Sequence, residues 1–254
     1  MASSSVLSPS ARGLLEIQRP WVLAATIGAG LWIDQVGRVW IVPGEYIVDV
    51  AVWALFAYIF YRADRRERVE MLTVLAIATP LELFASETWR LYEYREGLMP
   101  LFVPPGHWFL FDLGRRISLR FSARWIWPAT LIMVPLVVGF AWTGIDTSGM
   151  VLFLTLLAFV QWGPAPRLYV TMAWLALAME LWGTHLGNWT WAHEVPWTSL
   201  TTTNPPLLCG VFYAFGDMLV GLTGRYTSWP GRVRVETVQP THRPSQIDTR
   251  LGAL

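Results

Sequence analysis

Between Pro20 and Thr223 the chain is a succession of eight apolar runs, each close to the length that crosses a bilayer. A helix needs about 20 apolar residues to traverse the roughly 30 Å hydrocarbon layer. The runs cover 20–42, 46–61, 69–86, 101–119, 125–142, 149–162, 167–186 and 206–223. Only 15% of the 254 residues are charged, against about a quarter in soluble domains. The expected fold is therefore all-α: a polytopic membrane bundle of about eight spans. Each of the first two runs carries an acid: Asp49 lies in the second, and Asp34 in the first stands four residues before Arg38, a spacing that pairs them on one helix face.

Arginine placement orients the spans. All 19 basic residues are Arg. They gather before the first run, between the second and third (Arg62, Arg65, Arg66, Arg68), between the fourth and fifth (Arg115, Arg116, Arg120, Arg124), at Arg167 and in the tail. Cytoplasmic loops collect such charges, so both ends are expected inside. The fourth run is the weakest, because Pro104, Pro105 and Gly106 interrupt it and Arg115 and Arg116 follow. Were it not to cross, the Arg-rich tail would fall outside. The formal net charge of +1 gives no reason to expect nucleic acid as a partner. The single cysteine, Cys209, rules out an intrachain disulfide and reads as a packing residue.

Sliding the chain by 98 residues places Glu82 on Glu180 and the first spans on the later ones. Each copy has a Glu at a helix end, then aromatic-x-aromatic (Tyr92 and Tyr94; Trp189 and Trp191), then Pro-Pro (Pro104-Pro105; Pro205-Pro206), then a helix with Asp112 or Asp217. The expected organisation is a cytoplasmic arm (1–19), two parallel four-helix repeats (20–119 and 120–223) and a polar, disordered tail (224–254). Parallel repeats put both motif loops on the extracytoplasmic face, and repeat interfaces commonly hold the site.

Charged groups at membrane depth cost about 2.5–3.5 kcal/mol each on insertion scales, so those present usually face the protein interior. Glu82 and Glu180 form the leading pair: two carboxylates sharing a low-dielectric pocket can divide into acid and base. Taken singly, each could equally cap a neighbouring helix. His107, after Pro-Pro-Gly, is a candidate base, ligand or cap; His185 lies about 140° around a regular helix from Glu180 and shares its site only if the helix unwinds. Asp112 and Asp217 are candidate supporting carboxylates. Trp89, Tyr92, Tyr94, Trp182, Trp189 and Trp191 fit an interfacial belt or, with Asn204, the lining of a slot for an elongated apolar ligand. Neither HxxxH nor HExxH spacing occurs, so no metal or other cofactor is expected.

The string Glu180-x2-Gly183-x3-Gly187-x-Trp189-x-Trp191 resembles a signature of the carotenoid-biosynthesis membrane hydratases of the bisanhydrobacterioruberin hydratase type. It covers about 25 residues and, less well, about 27 in the first copy, where Ser86 and Trp89 replace the expected glycines. The resemblance implies an isoprenoid or lipid substrate handled within the bilayer, with Glu180 carried over. The expected function is a hydratase- or isomerase-like membrane enzyme. A proton- or ion-coupled transporter and a non-catalytic lipid-binding subunit are the alternatives, and no oligomeric state follows from the sequence.

Overall fold

The structure, a computed structural model, describes residues 19–226. The expected arm and tail lie, apart from their innermost residues, outside that range. The described chain is mostly helical. Helix α1 spans Pro20–Val36 and ends in a 3-10 turn at Gly37–Val39; α2 spans Gly44–Arg62; α3 spans Arg65–Leu83 and runs into a π-helical turn at Phe84–Thr88. Strand β1 (Tyr92–Tyr94) precedes α4 (Val103–Arg120). Then come α5 (Ile126–Leu131), α6 (Val134–Thr143), α7 (Ser148–Trp162), α8 (Pro166–Leu186), strand β2 (Trp189–Trp191) and α9 (Gly210–Tyr226).

Local chemistry sets these boundaries. Asp64 caps α3 by accepting the Glu67 amide at 2.8 Å. Pro104 and Pro105 lie in the first turn of α4, where the missing amide would have had no helical partner; they start this helix rather than break it. Pro80 lies inside α3 and removes one rung of the ladder, just before the helix widens into its π turn. The fifth apolar run is bent at Ile132–Met133, between α5 and α6. Pro135, in the first turn of α6, has no amide to offer the Leu131 carbonyl. Gly187, at φ +75°, ends α8 in the left-handed conformation, and the Asn188 amide reaches back to the Gly183 carbonyl at 3.0 Å.

Helices α3, α4, α8 and α9 pack on one another as a central group, with α3 against α4 and α9, and α8 against α4 and α9. Helix α1 covers α4 and α8, α2 lies against α1, and α7 covers α8 and α9. At one end of this group β1 and β2 pair antiparallel, Tyr92 opposite Trp191 and Tyr94 opposite Trp189. Flanking bonds extend the ribbon symmetrically: Arg95 N–H to Asn188 O at 2.9 Å and Ala192 N–H to Leu91 O at 3.0 Å.

Three stretches, Gly44–Arg62, Arg65–Thr88 and Ala123–Thr143, are long and apolar enough to cross a membrane. Large apolar side chains are exposed on their outer faces, such as Val50, Leu72, Ile132 and Leu136. Of the helices formed by the other runs, α1 has 17 residues, α7 has 15, and α4 holds Asp112, Arg115, Arg116 and Arg120. One expected pairing is corrected. Asp34 does not pair with Arg38, which sits exposed in the 3-10 turn beyond the end of α1; its partner is Arg95, at 2.8 Å.

Candidate active site

The strand period places Tyr92, Tyr94, Trp189 and Trp191 on the buried face of the ribbon and leaves Glu93 and Thr190 exposed. That buried face sits over the C-terminal ends of α3 and α8, which carry Glu82 and Glu180. The four aromatic side chains hold the two carboxylates. Both Tyr92 and Tyr94 hydroxyls donate to Glu82 Oε1. The indole N–H groups of Trp189 and Trp191 donate to Glu180 Oε2 at 2.7 and 2.9 Å. Each copy of the aromatic-x-aromatic motif therefore serves the carboxylate of its own half, with phenols in one and indoles in the other. Cross-strand rings also pack, Tyr92 on Trp191 with centroids 4.7 Å apart. Burial, reinforced by the Glu82 carboxylate, holds the Tyr92 and Tyr94 phenols well above their ordinary pKa; both stay donors throughout the physiological range.

His107 completes the Glu82 side. Its Nε2 lies 3.3 Å from Glu82 Oε2, and its Nδ1 lies 2.9 Å from the Val103 carbonyl. A carbonyl only accepts, so Nδ1 carries a proton. Glu82 thus uses both oxygens, accepting two phenols on one and facing an imidazole with the other. This bonding fits a carboxylate–imidazolium pair. Glu180 is bound differently. Among the described residues no donor reaches its Oε1, and that atom is not sealed in the protein.

Both carboxylates, His107 and all four ribbon aromatics line one cavity of about 500 Å³. Its remaining wall is almost entirely apolar, drawn from α1 and α2 (Ile27, Leu31, Val52), α3 (Val74, Ile77), α7 (Leu152, Phe159) and α9 (Phe212, Phe215). A few fixed polar groups in a large apolar cavity is the usual make-up of a small-molecule site.

The other sequence candidates separate into three groups. Trp89 lines the cavity and donates to the Pro196 carbonyl at 2.8 Å. Asn204 Oδ1 accepts the Trp191 amide at 3.0 Å, so it positions the strand. Trp182 is partly exposed and donates to the Gly28 carbonyl at 3.1 Å, away from the cavity. His185 is exposed, its ring beside Trp182; α8 stays regular to Leu186, so the angular offset from Glu180 persists. Asp112 is buried and bridges Arg115 at 3.0 Å and Arg116 at 2.8 Å, and Arg115 also holds Glu70 at 2.6 Å. Asp217 lies within electrostatic reach of Arg115 and Glu70. Glu70 is twelve residues before Glu82 on α3, ~18 Å along the helix. Neither Asp112 nor Asp217 lines the cavity: Asp112 belongs to an ion-pair network that reaches Glu70, and Asp217 lies near that network.

Sequence reasoning missed Tyr213. It lines the cavity, and its ring stacks on His107 with centroids 5.6 Å apart. The available signal was its position one turn before Asp217 on the same face of α9.

Among the described residues no group of three or more His, Cys, Asp or Glu is arranged to hold a metal ion. No protein-family model matches the chain, and no curated protein and no solved structure matches it.

Proposed function

We propose that the protein is a membrane enzyme that adds water to, or isomerises, a carbon–carbon double bond of an isoprenoid-like lipid by carboxyl acid–base chemistry. The observation that carries this reading is the unequal bonding of two carboxylates facing one apolar cavity. Glu180 has one oxygen held by two indoles and the other open, so Oε1 can deliver a proton to an alkene carbon. The resulting tertiary cation sits among aromatic faces, which stabilise positive charge. Water then forms the C–O bond, and its proton returns to the Glu180 carboxylate; loss of a neighbouring C–H proton instead gives the isomer. Glu82, saturated by three partners, keeps a fixed negative charge beside the developing cation, and His107 balances it. This division refines the expected acid and base: Glu180 reacts, while Glu82 and His107 set the field.

In this proposal the chain is an eight-span bundle of two parallel four-helix repeats. Both termini are cytoplasmic and the ribbon faces outward. The local symmetry of the ribbon about Glu93 and Thr190 supports the duplication, and the resemblance of the Glu180–Trp191 string to the carotenoid hydratases supports the substrate class. Non-catalytic lipid binding or proton-coupled transport is the second reading, favoured by the full satisfaction of Glu82.

The test is to purify the protein, identify co-purifying lipid by mass spectrometry, and follow its conversion in vesicles. Glu180→Gln keeps the side-chain shape and removes the transferable proton. Conversion should fall roughly 100- to 10,000-fold, the usual contribution of a general acid, while bound lipid remains. Wild-type conversion by Glu180→Gln would refute the enzyme reading.

A further inference from the structure

The polar groups on the cavity wall can be accounted for atom by atom. Those of Glu82, His107 and the four ribbon aromatics bond one another, Glu180 Oε2 or the backbone, as described above. Trp89 donates to Pro196, and Thr26 and Thr155 donate to the carbonyls of their own helices, at Val22 and Val151. Besides the weak thiol donor of Cys209, two polar atoms on this wall have no partner among the described residues: Glu180 Oε1 and the Tyr213 hydroxyl. Neither is an enclosed orphan. Tyr213 stacks on His107, the partner of Glu82, and Glu180 lines the same cavity, so the two open groups belong to one chamber.

The Tyr213 ring is held firmly. One face stacks on His107 at an interplanar angle of 20°, and Phe111 packs at a centroid distance of 5.9 Å. Gly216 leaves room for this arrangement, since a Cβ there would stand 3.2 Å from the Phe111 ring. A fixed phenol with an open hydroxyl is suited to meet one atom at one place.

We propose that the Tyr213 hydroxyl and Glu180 Oε1 form a two-point site for a single oxygen on an otherwise hydrocarbon ligand. The bound lipid thus carries a hydroxyl at the carbon where the chemistry occurs, or takes up water there. This rests on the cavity being a lipid site. In the hydration direction Tyr213 holds the attacking water; in the reverse direction it holds the departing hydroxyl. Tyr213 therefore contacts the reacting oxygen directly, and transfers no proton in either direction.

The experiment measures binding of two probes to the delipidated full-length protein: geranylgeraniol, and the hydrocarbon with the same skeleton lacking the hydroxyl. Wild type is expected to favour the alcohol by about tenfold, the effect of one net hydrogen bond in a buried site. Tyr213→Phe should weaken that preference severalfold and leave hydrocarbon affinity and the thermal midpoint close to wild type. Equal wild-type affinity for the two probes, or a preference undiminished in Tyr213→Phe, overturns the oxygen site and leaves the lipid site standing. Failure of both probes to bind wild type overturns the lipid site as well. The wild-type comparison needs no substitution, so it decides the matter even if Tyr213→Phe folds poorly.

Discussion

Gly183 is needed where it stands because an indole occupies the space a side chain would fill. A Cβ there would lie 2.1 Å from the Trp189 ring. Gly183→Ala should push that ring away and with it one of the two donors to Glu180. The expected loss is about 1–3 kcal/mol of stability from overpacking, read as a lower thermal midpoint, with conversion falling as Glu180 loses its alignment. An unchanged midpoint and unchanged conversion would remove Trp189 packing as the reason for this glycine. Gly187, four residues on, does something different: it takes a left-handed backbone to turn the chain from α8 into β2. The motif was visible in the sequence, but these separate duties were not. The first copy needs neither glycine, because α3 ends in a π turn in which Ser86 donates to the Glu82 carbonyl at 2.9 Å. Spacing alone also could not separate Glu82 and Glu180 from Asp112 and Asp217. All four are carboxylates on apolar helices, and only three-dimensional packing decides which meet aromatic donors and which meet arginines.

At the level of elements, Arg95 ties the ribbon to the end of α1. Its guanidinium reaches Asp34 Oδ1 and Gln35 Oε1, both at 2.8 Å. Asn188, on the other side of the ribbon, donates to the Leu31 carbonyl at 2.9 Å. Local spacing pointed Asp34 to Arg38, but α1 ends at Val36, where Gly37 and Gly44 let α1 and α2 approach; a Cβ on Gly44 would stand 2.2 Å from the Ile33 carbonyl oxygen. The turn carries Arg38 outward, and a cation about sixty residues away takes its place. Pairing across that separation leaves no periodic trace in a sequence, and neither does β1 with β2. Asp34 is 2% exposed, so Arg95→Ala strands a buried acid, at a cost of about 3–5 kcal/mol. Asp34→Asn in the same chain should recover much of that loss, because the neutral amide requires no cation. The check is a double-mutant cycle on thermal unfolding in detergent; strictly additive effects would mean the two side chains are not coupled.

For the whole molecule, the apolar runs were legible because length and apolar composition mark a helix directly in the sequence, and each of the eight recurs as helix, the first ending six residues early and the fifth in two pieces; three of the stretches are long and apolar enough to cross a membrane. What composition understates is α4. Its charges look hostile to a bilayer, yet Asp112, Arg115 and Arg116 neutralise one another and Glu70 beside them. Helix α4 begins beside the ribbon and ends at Arg120, next to the exposed turn at Ala123, while α3 runs the opposite way from the Arg65 end. The ribbon and the arginine-rich turns thus lie at opposite ends of a helical hairpin. If arginines mark the cytoplasmic side, Glu93 faces outward and Ala123 inward, with only α4 between them. Cys209 is the sole cysteine and is 1% exposed, so Cys209→Ala gives a chain in which single cysteines report one place each. Glu93→Cys should react with a membrane-impermeant maleimide on intact cells, and Ala123→Cys only after permeabilisation. Reversal of the two patterns would invert the orientation. Labelling of both from one side would mean that α4 does not cross, and would place the two carboxylate-bearing halves in opposite orientations, which the antiparallel ribbon joining them could not accommodate.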